Sequence, residues 1–147
     1  TGYEPMSKIY NTVTVNASSE DVWQALQDFH NLDWATGVVT KVDVVGEHDG
    51  SQIGAKRILN DVWHETMQSV DSDARVFTYS IDDGPGPMTK DAALNYTGRV
   101  QVFAITENNT SFVEWQSTFD SADENEIVEF NNPVYRALLG ALKNHFA

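Results

Sequence analysis

The residues best placed to do chemistry lie in two short runs, GAKR ending at Arg57 and WHETM over 63–67. Alternate side chains of an extended strand share a face, so Trp63, Glu65 and Met67 point the same way and set a carboxylate among apolar neighbours. A carboxylate removed from water is costly unless it is paired, hydrogen-bonded or protonated, so Glu65 calls for a cation or a raised pKa. Arg57 on the preceding run is the natural partner, and the register between the runs decides whether it reaches. If Asn60-Asp61 forms a two-residue turn, Arg57 falls opposite His64; a bulge or a longer loop brings Arg57 and Glu65 to one face. Tyr79 and Tyr96 are the other candidates. Tyr79 shares a face with Phe77 and Ile81, and Tyr96 with Val100 and Val102, so each sets on an apolar face a hydroxyl that needs a partner when buried.

Other chemistries find no matching pattern. His30, His48, His64 and His145 fall on separate elements without an i,i+4 pair, so no metal site is expected, and no cofactor motif such as GxGxxG or a P-loop occurs. GxSxG is absent, GPGP at 84–87 is turn chemistry, and the acidic run DSADENE lacks the glycine and spacing of a calcium loop. Four N-x-S/T triplets match the glycosylation pattern at a frequency that chance supplies, and no role is assigned to them. The 147 residues carry 22 acidic against 9 basic side chains, a formal charge of -13, which repels nucleic acid and anionic membrane surfaces over most of the molecule. No run approaches the ~20 apolar residues of a membrane span, so stable membrane insertion is not expected. With no cysteine, thiolate chemistry and disulfides are excluded, and a reducing, cytoplasmic setting is expected.

The elements that must position these residues follow from hydrophobic period. KIYNTVTV at 8–15 alternates as a half-buried strand. NASSEDVWQALQDF then reads as a helix, capped by Ser18, with Glu20 and Asp21 near its positive end and Val22, Trp23, Leu26 and Phe29 on one stripe. After a polar turn containing Trp34, strands are expected over 38–45, 53–59, 62–70, 76–81, 94–105 and 112–119, separated by Gly-, Asn- and Asp-rich breaks. Connections this short imply antiparallel neighbours. Val134, Leu138, Leu142 and Phe146 form the stripe of a final helix, with Pro133 expected in its first turn and a separate turn over 123–130. Residues 1–7 read as an N-terminal extension and 8–147 as one domain.

In this order the runs VNASSEDVWQALQDFHNLDWATGV, IGAKRI, HETMQSVDSDARVFTYSI, GPGPM with LNYTGRVQV, and SFVEWQSTF resemble the START-like, or SRPBCC, superfamily, and within it the polyketide cyclase/dehydrase and lipid transport group. The resemblance spans residues 8–146. It implies an α+β helix-grip fold: about seven antiparallel strands bent around a long C-terminal helix, with two short helices after the first strand. It also implies a cavity between sheet and helix for a hydrophobic small molecule such as a lipid, polyketide, sterol or quinone. The residues expected to line it are Trp34, Arg57, Trp63, Glu65, Phe77, Tyr79, Tyr96, Trp115, Phe119 and Leu138, with Trp34 as wall and lid at once.

Three readings remain open at this point. The chain binds or carries a hydrophobic molecule; or it is a cyclase, aromatase or dehydratase in which Glu65 or Tyr79 transfers a proton and Arg57 orients a carbonyl; or its fold presents a surface to another macromolecule. Neither oligomeric state nor ligand identity is written in the residues.

Overall fold

A computed structural model describes residues 7–147. Seven strands pair antiparallel in the order β1-β7-β6-β5-β4-β3-β2. They are β1 (Ile9–Val15), β2 (Val42–Val45), β3 (Lys56–Leu59), β4 (Trp63–Asp71), β5 (Val76–Asp83), β6 (Leu94–Ile105) and β7 (Thr110–Asp120), with α1 (Ser19–Leu26) after β1 and α2 (Glu124–His145) after β7. The sheet stays open, with β1 and β2 as its edges. Residues 1–6, which hold most of the expected extension, lie outside the described residues.

The alternation read from the sequence appears in the burial. Phe77, Tyr79 and Ile81 of β5 are buried while Thr78 and Ser80 between them are half-buried; Val113, Trp115 and Phe119 of β7 face inward between half-buried Glu114, Gln116 and Thr118. This inner face and the buried stripe of α2 (Ile127, Asn131, Tyr135, Leu138, Leu139, Leu142) form one core with Val22, Trp23 and Leu26 of α1. Ser18 Oγ accepts from the Asp21 amide at 3.2 Å and caps α1, and the Asp123 carboxylate accepts from the Glu126 amide at 3.1 Å and caps α2. Each satisfies a donor that the first helical turn leaves without a partner.

Three details differ from the expectation. Only one short helix follows β1: after Leu26 the chain runs through turns, not a second helix, to β2. The side chains of Asp28 and Asn31 accept from the amides of His30 and Asp33, the local bonding by which Asx residues compete with helix. Next, 123–130 is no separate turn, and Pro133 sits well inside one continuous α2 rather than in a first turn. The 22-residue helix bridges the proline because its buried stripe packs on the sheet on both sides of it. Finally β2 and β3 begin later than expected, at Val42 and Lys56: the Val38 and Val39 amides both bond back to Ala35 O, and those of Gln52 and Ala55 to Asp49 O and Gln52 O, which holds both approaches as turns.

Candidate functional site

A small cavity of about 50 Å³ lies between the sheet and α2. One wall is apolar and comes from the turn after α1, through Leu32, Val38 and Val39. The β3–β4 hairpin adds Arg57, Leu59, Asn60, Trp63 and Glu65; β5 adds Tyr79 and Ile81, and β7 adds Trp115. The helix closes it with Asn131, Val134, Tyr135 and Leu138.

The hairpin sets the ionic side. Asn60 and Asp61 both adopt positive φ (53° and 65°), Val62 N bonds back to Leu59 O at 3.1 Å, and Val62 remains as an extra, unpaired residue before Trp63. That insertion pairs Arg57 with Glu65 and Ile58 with His64. Asn and Asp tolerate the left-handed region better than other side chains, which is why this sequence supports the turn. The Asn60 side chain holds the neighbouring segment as well, accepting from Thr40 N at 2.8 Å and donating to Val38 O at 2.9 Å.

Arg57 and Glu65 are 5% and 7% exposed, so the pair is almost fully removed from water. Arg57 Nε donates to Glu65 Oε1 at 2.8 Å, and Nη2 lies 2.7 Å from the same oxygen. Nη1 donates to Phe29 O at 3.0 Å, and the guanidinium carbon stands 3.7 Å from the Phe29 ring centroid, a cation–π contact. Burial nonetheless raises the Glu65 pKa above its ordinary value, the nearby guanidinium opposing the shift and Asp82 adding to it.

Opposite lies a hydroxyl cluster. Trp115 Nε1 donates to Tyr79 Oη at 2.9 Å, and Tyr79 Oη donates to Tyr135 Oη at 3.3 Å. Ser117 Oγ donates to Tyr135 Oη at 3.2 Å, and the Tyr96 and Tyr135 hydroxyls share a hydrogen bond of 2.5 Å. Asn131 Nδ2 donates to Tyr96 Oη at 3.0 Å. Tyr79 fits because its strand neighbour is Gly98: a Cβ there would stand 2.2 Å from Tyr79 Cζ. Burial raises the pKa of Tyr79 and Tyr135 well above that of a free phenol and raises that of Tyr96, so all three stay protonated at neutral pH.

Of the residues expected to line the cavity, Arg57, Trp63, Glu65, Tyr79, Trp115 and Leu138 do so. Trp34, Phe77, Tyr96 and Phe119 do not. Trp34 is 3% exposed and packs with its ring centroid 6.5 Å from that of Trp115, inside the core and not across an opening. Phe77 fills the space between Trp23, Phe29 and Tyr79, and Phe119 stacks on Tyr96 at 5.5 Å, with the Tyr96 hydroxyl buried behind Tyr135. Missing from the expectation are several apolar residues and three polar ones: Asn60 of the hairpin turn, and Asn131 and Tyr135, which occupy the i and i+4 positions of the α2 stripe. A polar residue at an apolar stripe position was the available signal. No group of three or more His, Cys, Asp or Glu able to hold a metal occurs among the described residues. Nor is any helix among them long and apolar enough to cross a membrane.

An open sheet gripping one long helix, with a small, partly open cavity between them, defines a helix-grip protein of SRPBCC type. The profile of the family described as "Polyketide cyclase / dehydrase and lipid transport" matches residues 6–147, and the chain belongs to that family. Among solved structures it is similar to a protein from Nitrosospira multiformis, with 35% identity, 95% of each chain covered and a TM-score of 0.91. An uncharacterized protein from Bacillus thuringiensis shares 28% identity over 93% of this chain and 96% of its own, at a TM-score of 0.76. The protein XoxI from Bacillus cereus shares 26% over 94% and 95%, at 0.74. A search of curated proteins finds no significant match.

Proposed function

We propose that the chain binds a hydrophobic or aromatic small molecule between the sheet and α2. The observation that carries this reading is the small space between sheet and helix, lined by apolar side chains together with the polar groups of Arg57, Glu65, Tyr79 and Tyr135. An apolar wall with a few placed polar groups is the usual composition of a small-molecule site. The space is far below the ~300–1,000 Å³ of ordinary ligand pockets, so a ligand of drug size enters only when α2 or the segment over 28–40 moves away from the hairpin. Carriage between donor and acceptor, and a cytoplasmic location, belong to this proposal as extensions of it.

The cyclase or dehydratase reading has weaker support. Tyr79 is protonated and already spends its hydroxyl on Trp115 and Tyr135, and Arg57 is committed to Glu65 and Phe29 O. Neither is free to act on a substrate without rearrangement, and Glu65, the other proton-transfer candidate, binds Arg57 through Oε1.

Mass spectrometry of an organic extract from freshly purified protein, with a Trp115→Ala/Tyr79→Ala variant as control, tests the binding reading, together with titration by an apolar fluorescent probe. A stoichiometric molecule in the parent extract alone, or saturable one-to-one probe binding lost in the variant, is expected. An empty extract together with no saturable probe binding would overturn it.

A further inference from the structure

Arg57 uses one oxygen of Glu65 and leaves the other over. Both guanidinium contacts, Nε at 2.8 Å and Nη2 at 2.7 Å, fall on Oε1, and no group among the described residues hydrogen-bonds to Oε2. A carboxylate oxygen accepts about two hydrogen bonds, and accepts them strongly, so Oε2 is unused bonding capacity.

That oxygen is not sealed in the core. Among the described residues, Asn131 Oδ1 is the one fully buried side-chain nitrogen or oxygen that makes no hydrogen bond. Oε2 makes none either, so it keeps contact with open space. Glu65 as a whole is 7% exposed and lines the cavity between the sheet and α2. On β4 it shares the inward face with Trp63, which lines the same cavity, and with Met67, which is fully buried, so the space its side chain meets is the cavity. Arg57 has less left to offer. Its Nε and Nη2 face Glu65, its Nη1 donates to Phe29 O at 3.0 Å, and the Phe29 ring lies 3.7 Å from the guanidinium carbon.

We infer that Glu65 Oε2, and not the arginine beside it, meets the polar end of the ligand, and that this end is an uncharged hydrogen-bond donor, an O–H or N–H on an otherwise apolar molecule. This rests on the binding reading above and deepens it by naming the chemistry selected. Solvent in the cavity can bond to Oε2, so a ligand that fills the space must replace that bond or leave a carboxylate oxygen bare. An alcohol or phenol replaces it; an ether or ketone, which only accepts, does not. A carboxylate, the end that a lining arginine alone would suggest, meets a negative oxygen instead of a free cation. A protonated amine meets the repulsion of the guanidinium on the other side of the same carboxylate. Glu65 is thus a specificity residue, held in place by Arg57.

Matched probes decide it, in isothermal titration of the whole chain at pH 8 with 2-naphthol, 2-methoxynaphthalene and 2-naphthoate. The three share a ring and end in a neutral donor, an acceptor alone and an anion. The parent is expected to bind 2-naphthol at least about ten-fold tighter than 2-methoxynaphthalene, since a site built to bond a hydroxyl discriminates strongly against its absence, and to bind 2-naphthoate weakest. In Glu65→Gln the amide oxygen stays with Arg57 and the amide nitrogen takes the place of Oε2, turning an acceptor into a donor. The preference for 2-naphthol should then fall to about two-fold or less, and 2-naphthoate should gain. Equal affinities of 2-naphthol and 2-methoxynaphthalene in the parent, tighter binding of 2-naphthoate than of 2-naphthol, or an undiminished preference in Glu65→Gln would overturn the inference while leaving the binding reading intact. Failure of all three probes to bind the parent overturns both. Should the variant not fold, the ranking in the parent still decides, alongside the carboxyl carbon resonance of Glu65, which 2-naphthol should move further than 2-methoxynaphthalene does.

Discussion

Replacing Arg57 by Met keeps much of the side-chain volume against the Phe29 ring and deletes the charge, which leaves the Glu65 carboxylate, 7% exposed, without its cation. Breaking a buried ion pair from one side costs about 3–5 kcal/mol, because the remaining charge keeps its desolvation penalty. At about 2.1 cal/mol/K of unfolding entropy per residue, a loss of ~4 kcal/mol lowers the Tm of a chain this size by ~13 °C. The deficit depends on pH, and its sign follows from the proton. Burial already raises the Glu65 pKa, and without the guanidinium it rises further, so folded Arg57→Met holds a proton that the unfolded chain releases. The variant is therefore least impaired below the ordinary carboxylate pKa. Above the parent's own raised Glu65 pKa the gap to the parent widens by up to about 1.4 kcal/mol per pH unit, until the pH passes the variant's still higher folded pKa. Adding Glu65→Leu removes the stranded charge and should return stability to within about 2 kcal/mol of the parent or above it, as replacing a whole buried pair with apolar groups often does. Urea unfolding of the parent, both singles and the double at pH 5 and pH 7.5 measures all of this. A single-variant cost below about 1 kcal/mol, the range of a solvent-screened pair, or a double variant no more stable than Arg57→Met, would refute the reasoning.

Three further outcomes are expected. Gly98→Ala places a methyl against the Tyr79 ring and should cost about 1–3 kcal/mol in chemical denaturation, the range of overpacked cores, with an unaltered midpoint counting against the tight approach. Trp34→Ala should cost about 3–5 kcal/mol as a core truncation while leaving probe affinity per folded molecule unchanged, because Trp34 packs behind the cavity lining; weakened affinity would restore it to the cavity wall. In an alkaline titration followed by phenolate absorbance, Tyr79, Tyr96 and Tyr135 should stay protonated past the ordinary phenol pKa and ionise only as the fold is lost. Their raised values mean that the stability they contribute is complete below pH ~10 and fades as the pH climbs through the folded values; one ordinary ionisation step for every tyrosine would contradict this.

Most of the strand faces could be read directly, because alternation is a local property: Phe77, Tyr79 and Ile81 declare their face whatever lies next to them. Register is not local. Whether Arg57 meets Glu65 depended on Val62 standing unpaired after two positive-φ residues, and Asn-Asp at 60–61 is compatible with hairpins with or without that extra residue. The polar floor was legible only in half. Tyr79 and Tyr96 stood out on apolar strands, whereas Asn131 and Tyr135 sit just before and just after Pro133, in a stretch where the proline argues for a helix start. Once α2 runs through the proline, both fall on its buried stripe beside Leu138. Trp34, Phe77, Tyr96 and Phe119 show the other limit: parity assigns a side chain to the inner face, but only three-dimensional packing separates those that touch a cavity from those that fill the core behind it.

The pairing of the first strand with the last has a consequence for how the molecule comes into being. Ile9 lies across from Ser117, whereas β4 through β7 each pair with the next strand in sequence, through short turns after β4 and β6 and a ten-residue connection after β5. During synthesis the hairpins of β4, β5 and β6 can zip as they emerge, but β1 waits for more than a hundred residues to be made before it finds its partner. Pairings of such long sequence separation form slowly, since loop closure must precede any gain from the contact. Until β7 is complete, β1 is an unpaired strand with Ile9, Val13 and Val15 on one face, open to pairing with other chains. Tyr10, Thr12 and Thr14 on its other face, exposed once the strand is home, keep only one side of that waiting strand apolar.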